Sequence, residues 1–157
     1  MGKSLKDIAE ALKVSKTTVS WVLSGRGDEQ KISSATQKKI IDYAKQVKYR
    51  PNYLAKSLSS GKTKTIGLVV PFIGDTFYAQ VAMEVELVAE QLGYTVTFCS
   101  SESNPVRENN IIQMLRSKNI DGLIIAPTNY AKGELENLIQ EKYPFVLIDR
   151  FFSGIEY

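Results

Sequence analysis

The sequence predicts an all-α helix-turn-helix unit followed by an α/β unit on a parallel sheet, and three observations predict it. Charge divides the chain. Residues 1–65 carry twelve Lys and two Arg against five acids, a net +9, whereas 66–157 carry six basic against twelve acidic residues, a net −6. Within the basic part, apolar residues recur three times at the spacing of an amphipathic helix. Beyond residue 65 the pattern becomes short apolar runs alternating with helical stretches, as in βαβ units. These observations place the helical unit at residues 1–50, a hinge helix and linker at 51–65, and the α/β unit at 66–157.

Leu5, Ile8, Ala9 and Leu12 share one face of a first helix, and Lys13-Val14-Ser15 follows as a tight turn. Ser15 is placed to cap a second helix over 16–24, whose Val19, Val22 and Leu23 face inward. Gly25-Arg26-Gly27 ends it, and Ser33 can cap a third helix with Ile40, Ile41, Ala44 and Val47 as its buried stripe. Pro51 stops that run, 52–58 is a short helical candidate, and Ser59-Ser60-Gly61-Lys62-Thr63 has linker composition. The runs 66–70, 96–99, 123–126 and 145–148 read as strands buried on both faces. Helices over 78–92, 106–118 and 132–141 lie between them, giving β-α-β-α-β-α-β with right-handed crossovers.

Composition bounds the chemistry. At 43% hydrophobic and 24% charged the chain has the make-up of a soluble globular protein rather than a disordered one. It has no histidine, and its single cysteine, Cys99, can close no intramolecular disulfide. Zinc sites, His-based catalysis and a disulfide framework are excluded, and a reducing compartment fits. No apolar run is long enough to span a membrane and the first residues lack a signal-peptide core, so a cytoplasmic location is expected. Neither a Gly-x-Ser-x-Gly elbow nor a phosphate-binding glycine loop accompanies the strand-end carboxylates Asp75 and Asp149, so no enzyme and no cofactor is expected. A flavodoxin-like enzyme is the only enzymatic rival.

Helix, three-residue turn, capped second helix and bracing third helix form the arrangement that lets one helix enter a major groove of double-stranded DNA. Once Val19, Val22 and Leu23 are assigned to the core, Lys16, Thr17, Ser20 and Trp21 remain exposed on the second helix. Lys16 can donate to guanine O6 and N7, and Thr17 can meet a base edge or a thymine methyl. Ser15 and Thr18 are better placed for phosphate. The alternative for each is an ordinary solvated side chain, and for the block as a whole a solvated basic face.

Four motif blocks in order resemble the lac repressor (LacI/GalR) family of transcription regulators. They are Leu5-Lys6-Asp7-Ile8-Ala9 with Val14-Ser15-Lys16-Thr17-Thr18-Val19-Ser20; Tyr49-Arg50-Pro51-Asn52 with Leu54-Ala55-Lys56-Ser57-Leu58; Lys64-Thr65-Ile66-Gly67-Leu68-Val69-Val70-Pro71; and Asp121-Gly122-Leu123-Ile124-Ile125 with Val146-Leu147-Ile148-Asp149-Arg150. The resemblance implies a homodimer on a pseudo-palindromic operator, with the hinge helix in the minor groove. Leu58 matches the family's leucine wedge, Ala55 and Lys56 would line the same groove, and the plain alternative for Leu58 is a packing leucine. Trp21 stands where many members carry Arg; it would either stack on the sugar-phosphate wall or pack against the third helix. Lys13 and Lys48 stand where glycines are common at two helix ends, at a backbone cost if φ is positive there.

The resemblance also implies that the α/β unit is an incomplete, periplasmic-binding-protein-like first lobe, since family members continue well past the position of Tyr157. The expectation is a fragment of a longer regulator that grips its effector from one side. Ligands of a parallel sheet gather at the carboxyl ends of the strands. By residue-wise match Phe77 and Tyr78 would stack on a small effector, commonly a sugar or a purine, and Thr128, Asp149 and Arg150 would offer polar contacts. The alternative is a buried aromatic pair with a structural salt bridge. A rival to the regulator as a whole is a small-molecule-binding or interaction module with a vestigial DNA-binding domain.

Overall fold

The computed structural model describes residues 3–51, 57–58, 60–128 and 132–150, without the Lys132 side chain. The chain divides into two compact units, Met1–Asn52 and Tyr53–Tyr157.

In the first unit, three helices bury one small core. Helix α1 (Leu5–Leu12) opens on a capping box: Asp7 N–H donates to Ser4 Oγ at 3.3 Å and Ser4 N–H to Asp7 Oδ2 at 2.7 Å. Those bonds, the Ser4 backbone bond foremost, hold the Asp7 carboxyl below its ordinary range. The helix ends on Lys13 at φ 54°, whose N–H and that of Val14 return to the Glu10 and Ala9 carbonyls in a Schellman turn. Helix α2 (Lys16–Leu23) is capped by Ser15, and helix α3 (Ser34–Gln46) by Ser33. Ile8, Ala9, Val19, Val22, Ile40 and Ala44 are the core, with Leu5, Leu12, Leu23, Tyr43 and Val47 packed around it.

Ile41 corrects the expected stripe of α3. It is exposed, because the buried face runs through Ile40, Tyr43, Ala44 and Val47 and the next residue after Ile40 lies a hundred-degree turn away from it. The loop before α3 is pinned by Gln37, whose Nε2 donates to Asp28 Oδ1 and to the Ile32 carbonyl, both at 2.8 Å.

The second unit is a four-stranded parallel sheet. Its elements are β1 (Thr65–Val70), α4 (Thr76–Gln91), β2 (Thr95–Ser100), α5 (Pro105–Ser117), β3 (Gly122–Ile125), α6 (Lys132–Gln140) and β4 (Phe145–Leu147). The strand order is β2-β1-β3-β4, with Ile66 opposite Val96 on one side and Gly122 on the other. Alternation along β1 divides two apolar layers. Leu68 and Val70 meet Tyr78 and Ala82 of α4, while Val69 meets Ile112, Leu115, Leu135 and Leu138 of α5 and α6. Arg116 of α5 ties that second pair together by ion pairs to Glu134 and Glu141.

Gly67 faces the second layer, where an added Cβ would come within 2.8 Å of both Leu115 Cδ1 and Leu123 Cδ2. The strand expectation holds for β1 but not for the edges. Strand β2 has no fully buried residue and Val146 of β4 is 56% exposed, because an edge strand lacks a neighbour to shield its outer side.

Candidate nucleic-acid interface and strand-end rim

Helix α2 places its polar side chains by default. Val19 and Val22 are buried, so Ser15, Lys16 and Thr17 are exposed and Thr18, Ser20 and Trp21 half-buried. Ser15 Oγ accepts from Thr18 N–H at 2.9 Å and lies 2.8 Å from Thr18 Oγ1, so these two hydroxyls fix the helix start. Lys16 and Thr17 lie in the first turn, where free backbone N–H groups and the positive end of the helix dipole favour an anion. Trp21 is not among the described side chains packed against the three-helix core. Lys13 and Lys48 both adopt positive φ, 54° and 51°, in the place of the expected glycines.

In the hinge, Ser57, Leu58 and Ser60 are helical and Leu58 is 88% exposed. A leucine that open is not a packing residue of this unit. Ala55 and Lys56 lie outside the described residues.

The second site is the carboxyl end of the sheet, beside the switch between β1 and β3 where successive helices pass to opposite faces. Asp75 caps α4 by accepting from Phe77 N–H at 2.8 Å. Phe77 is 52% exposed and meets Tyr78 edge-on, centroids 5.2 Å apart. Tyr78 itself is buried, so of the two rings only Phe77 is open to solvent. Its hydroxyl donates to Asp149 Oδ2 at 2.7 Å; burial, with that bond and the Asp149 charge, pushes its pKa up to about 12. Arg150 Nε lies 3.4 Å from the same Asp149 oxygen. Tyr78, Asp149 and Arg150 thus form one chain of contacts, with Asp149 at φ 65°.

Thr128 is buried as well, and its backbone N–H donates to Glu108 Oε2 at 2.9 Å. Glu108 is wholly buried, and that burial raises its pKa against the opposing bonds from Thr128 and Ser101. Sequence reasoning missed Glu108, yet a signal was present: Glu108, Ile112 and Leu115 fall at i, i+4 and i+7 and are the buried residues of α5. Cys99 is half-buried with its thiol pushed up by burial. Among the described residues no group of three or more His, Cys, Asp or Glu could hold a metal ion, and no helix is long and apolar enough to cross a membrane.

Comparison with known proteins addresses both units. Residues 4–52 match the family model of bacterial regulatory proteins of the lacI family, and residues 63–154 match that of periplasmic binding proteins and the sugar binding domain of the LacI family. A sucrose operon repressor of Klebsiella pneumoniae is 34% identical over 147 residues, covering 94% of this chain and 44% of the relative. The HTH-type transcriptional regulator PtxS of Pseudomonas plecoglossicida is 35% identical over 153 residues, covering 98% of this chain and 44% of its own length. The chain therefore spans a little under half the length of these relatives. Among solved structures, the lac repressor dimer bound to operator and the anti-inducer ONPF superposes with TM-score 0.68 at 25% identity, over 80% of this chain and 37% of that one.

Proposed function

The chain belongs to the LacI family of bacterial regulatory proteins, and from that premise we propose that it acts as a sequence-specific transcription regulator, a repressor rather than an enzyme. Lys16, Thr17, Ser20 and Trp21 read the major groove, and Ser15 and Thr18 seat the start of α2 against phosphate. Ala55, Lys56 and Leu58 serve the minor groove. Two copies bind a pseudo-palindromic operator, and a small sugar-like effector is sensed at the rim formed by Phe77, Tyr78, Thr128, Asp149 and Arg150.

The observation that carries this reading is α2 itself. A serine-capped helix has its apolar side consumed by Val19 and Val22, and Lys16 and Thr17 exposed in its first turn. The basic charge of residues 1–65 supplies the phosphate-seeking background. A relative that is a sucrose operon repressor and a related structure that is a dimer on an operator support the effector class, the homodimer and the DNA partner. For the rim, the exposed Phe77 ring beside the Asp149–Arg150 pair supplies the apolar face and polar edge that a sugar ring needs.

Random-site selection on the chain at moderate salt tests the assignment. It should return a pseudo-palindrome of two like half-sites, and Lys16→Ala should relax preference at one base position of each by about 1–3 kcal/mol. Absence of any sequence preference would refute the reading.

A further inference from the structure

The linker enters the sheet at its amino edge, opposite the rim. Thr63 donates twice to Asp121 Oδ1, through its N–H at 2.7 Å and its Oγ1 at 2.9 Å, and Lys64 N–H donates to Asp121 Oδ2 at 3.0 Å. The Tyr94 side chain also favours the charged form of this carboxylate. Around it, Lys64 Nζ sits 4.3 Å over the Tyr94 ring, Thr95 N–H donates to the Lys64 carbonyl at 2.9 Å, and Asp121 N–H donates to the Thr65 carbonyl at 2.8 Å. One acid thus ties the last linker residues to the leading ends of β2 and β3. Burial alone would raise the Asp121 pKa, but the bonds from Thr63 and Lys64 outweigh it and hold the carboxyl below its ordinary range. Upstream, Gly61 and Lys62 are exposed, and among the described residues Ser60 Oγ bonds locally, to Ser57 and Lys62.

We propose that Asp121 is a positioning residue for DNA binding, fixing the point at which the linker leaves the sheet. The inference rests on the DNA-reading assignment above. Without the Asp121 carboxylate Thr63 is released while the backbone bonds to the Lys64 and Thr65 carbonyls remain, so the tether gains about one residue, roughly 3.3–3.6 Å, and a longer tether lowers the effective concentration of the unit it carries. Asp121 also immediately precedes β3, the strand that leads to Thr128 at the rim, so a single short strand joins the linker anchor to the effector end.

The test uses the full chain with Asp121→Ala, Asp121→Asn and Thr63→Val. Limited trypsin digestion is read by the mass of fragments beginning at Thr63 or Thr65. Affinity is measured for the duplex selected by the wild-type chain, at a temperature where circular dichroism shows both units folded. Losing bonds to a charged acceptor should speed cleavage by about tenfold in Asp121→Ala, and the longer tether should weaken duplex binding by up to about twofold, with smaller changes in Asp121→Asn and Thr63→Val. If Asp121→Ala does not fold, the two milder variants carry the comparison. Unchanged cleavage would remove the anchor, and faster cleavage with unchanged duplex affinity would leave it structural only; either overturns the proposal. A wild-type chain without sequence preference defeats the DNA-reading assignment and this proposal with it, while the cleavage difference persists and tells that failure from the others.

Discussion

Lys16 and Tyr78 both sit in the first turn of a capped helix, α2 behind Ser15 and α4 behind Asp75, yet the two positions are used in opposite ways. Lys16 is exposed, and its place follows from the apolar side chains around it. Tyr78 is buried, and its hydroxyl is held by Asp149, seventy-one residues further along. In the three-helix unit the candidate contacts are what the core leaves over. In the α/β unit they are bound into the margin of the core by distant partners, so changing one disturbs packing and binding together. A contact surface of the first kind tolerates substitution; one of the second kind does not.

The largest effect should come from breaking the smaller core. Ile8 is fully buried, and Ile8→Ala should cost about 2–5 kcal/mol, the usual range for such a truncation. A unit of this size has little stability to spare, so it should unfold near ambient temperature while the sheet persists. Trp21 is the only tryptophan and lies in the three-helix unit, so its fluorescence reports that unit alone. Loss of the Trp21 transition with the α/β transition unmoved is the expected outcome. A single merged transition in both proteins would break the comparison.

Glu108 is the next test, because it asks whether the rim depends on buried polar groups. Glu108→Ala leaves the Thr128 N–H without its acceptor and should cost about 1–3 kcal/mol. Glu108→Gln keeps an acceptor and removes the charge. Because the folded pKa of Glu108 lies above its ordinary value of 4.5, the folded state holds its proton where the unfolded state has released it. Its contribution is therefore complete below about that ordinary value and is lost as pH rises through the folded pKa. Denaturant midpoints of wild type and Glu108→Gln should accordingly diverge in favour of the variant as pH rises toward neutrality. A constant difference across that range would show that the buried carboxyl does not titrate differently on folding.

What was legible in the sequence follows the same division. Helix starts were readable at Ser15 and Ser33 because a hydroxyl and the backbone it caps are neighbours in the chain. The order of strands and helices was readable because apolar periodicity is local too. The exposure of Ile41 was not, since its stripe had to be chosen by the packing of Tyr43 instead. Edge exposure of β2 and β4 depends on strand order, which no single run of residues encodes. Tyr78–Asp149, Glu108–Thr128 and Thr63–Asp121 join residues far apart in sequence, and only the fold brings them together. The family resemblance put Tyr78, Thr128 and Asp149 at one rim without giving their partners, and Glu108 left a trace of another kind, as an acid in line with a buried helical stripe.

Tyr78→Phe is a milder probe of the rim, since it removes one hydroxyl and keeps the ring. Loss of the bond to Asp149 should cost about 1 kcal/mol in the denaturant midpoint of the α/β unit. Spectrophotometric titration supplies a second reading. A tyrosine ionising near pH 12 in the folded wild type should be missing from the variant. Tyr49 and Tyr143 are also pushed up by burial, so the readout is the number of late-ionising tyrosines; if it does not fall by one on substitution, the hydroxyl is not held as described.

Lys13→Gly should have the smallest effect, and it separates stability from DNA binding within the three-helix unit. Lys13 closes α1 at φ 54°, a conformation that costs a side-chain-bearing residue about 1–2 kcal/mol, while glycine gives back about 0.5–1 kcal/mol through its more flexible unfolded chain. The thermal midpoint followed by Trp21 should therefore rise slightly. The same change deletes one positive charge two residues before the cap of α2, so duplex affinity should fall and the dependence of log affinity on log salt should shallow by about one phosphate contact. The two readouts moving in opposite directions would mean that the lysine is kept at that turn for its charge, in spite of its backbone. An unchanged salt slope with the same gain in stability would leave Lys13 a strained turn residue with no part in the interface.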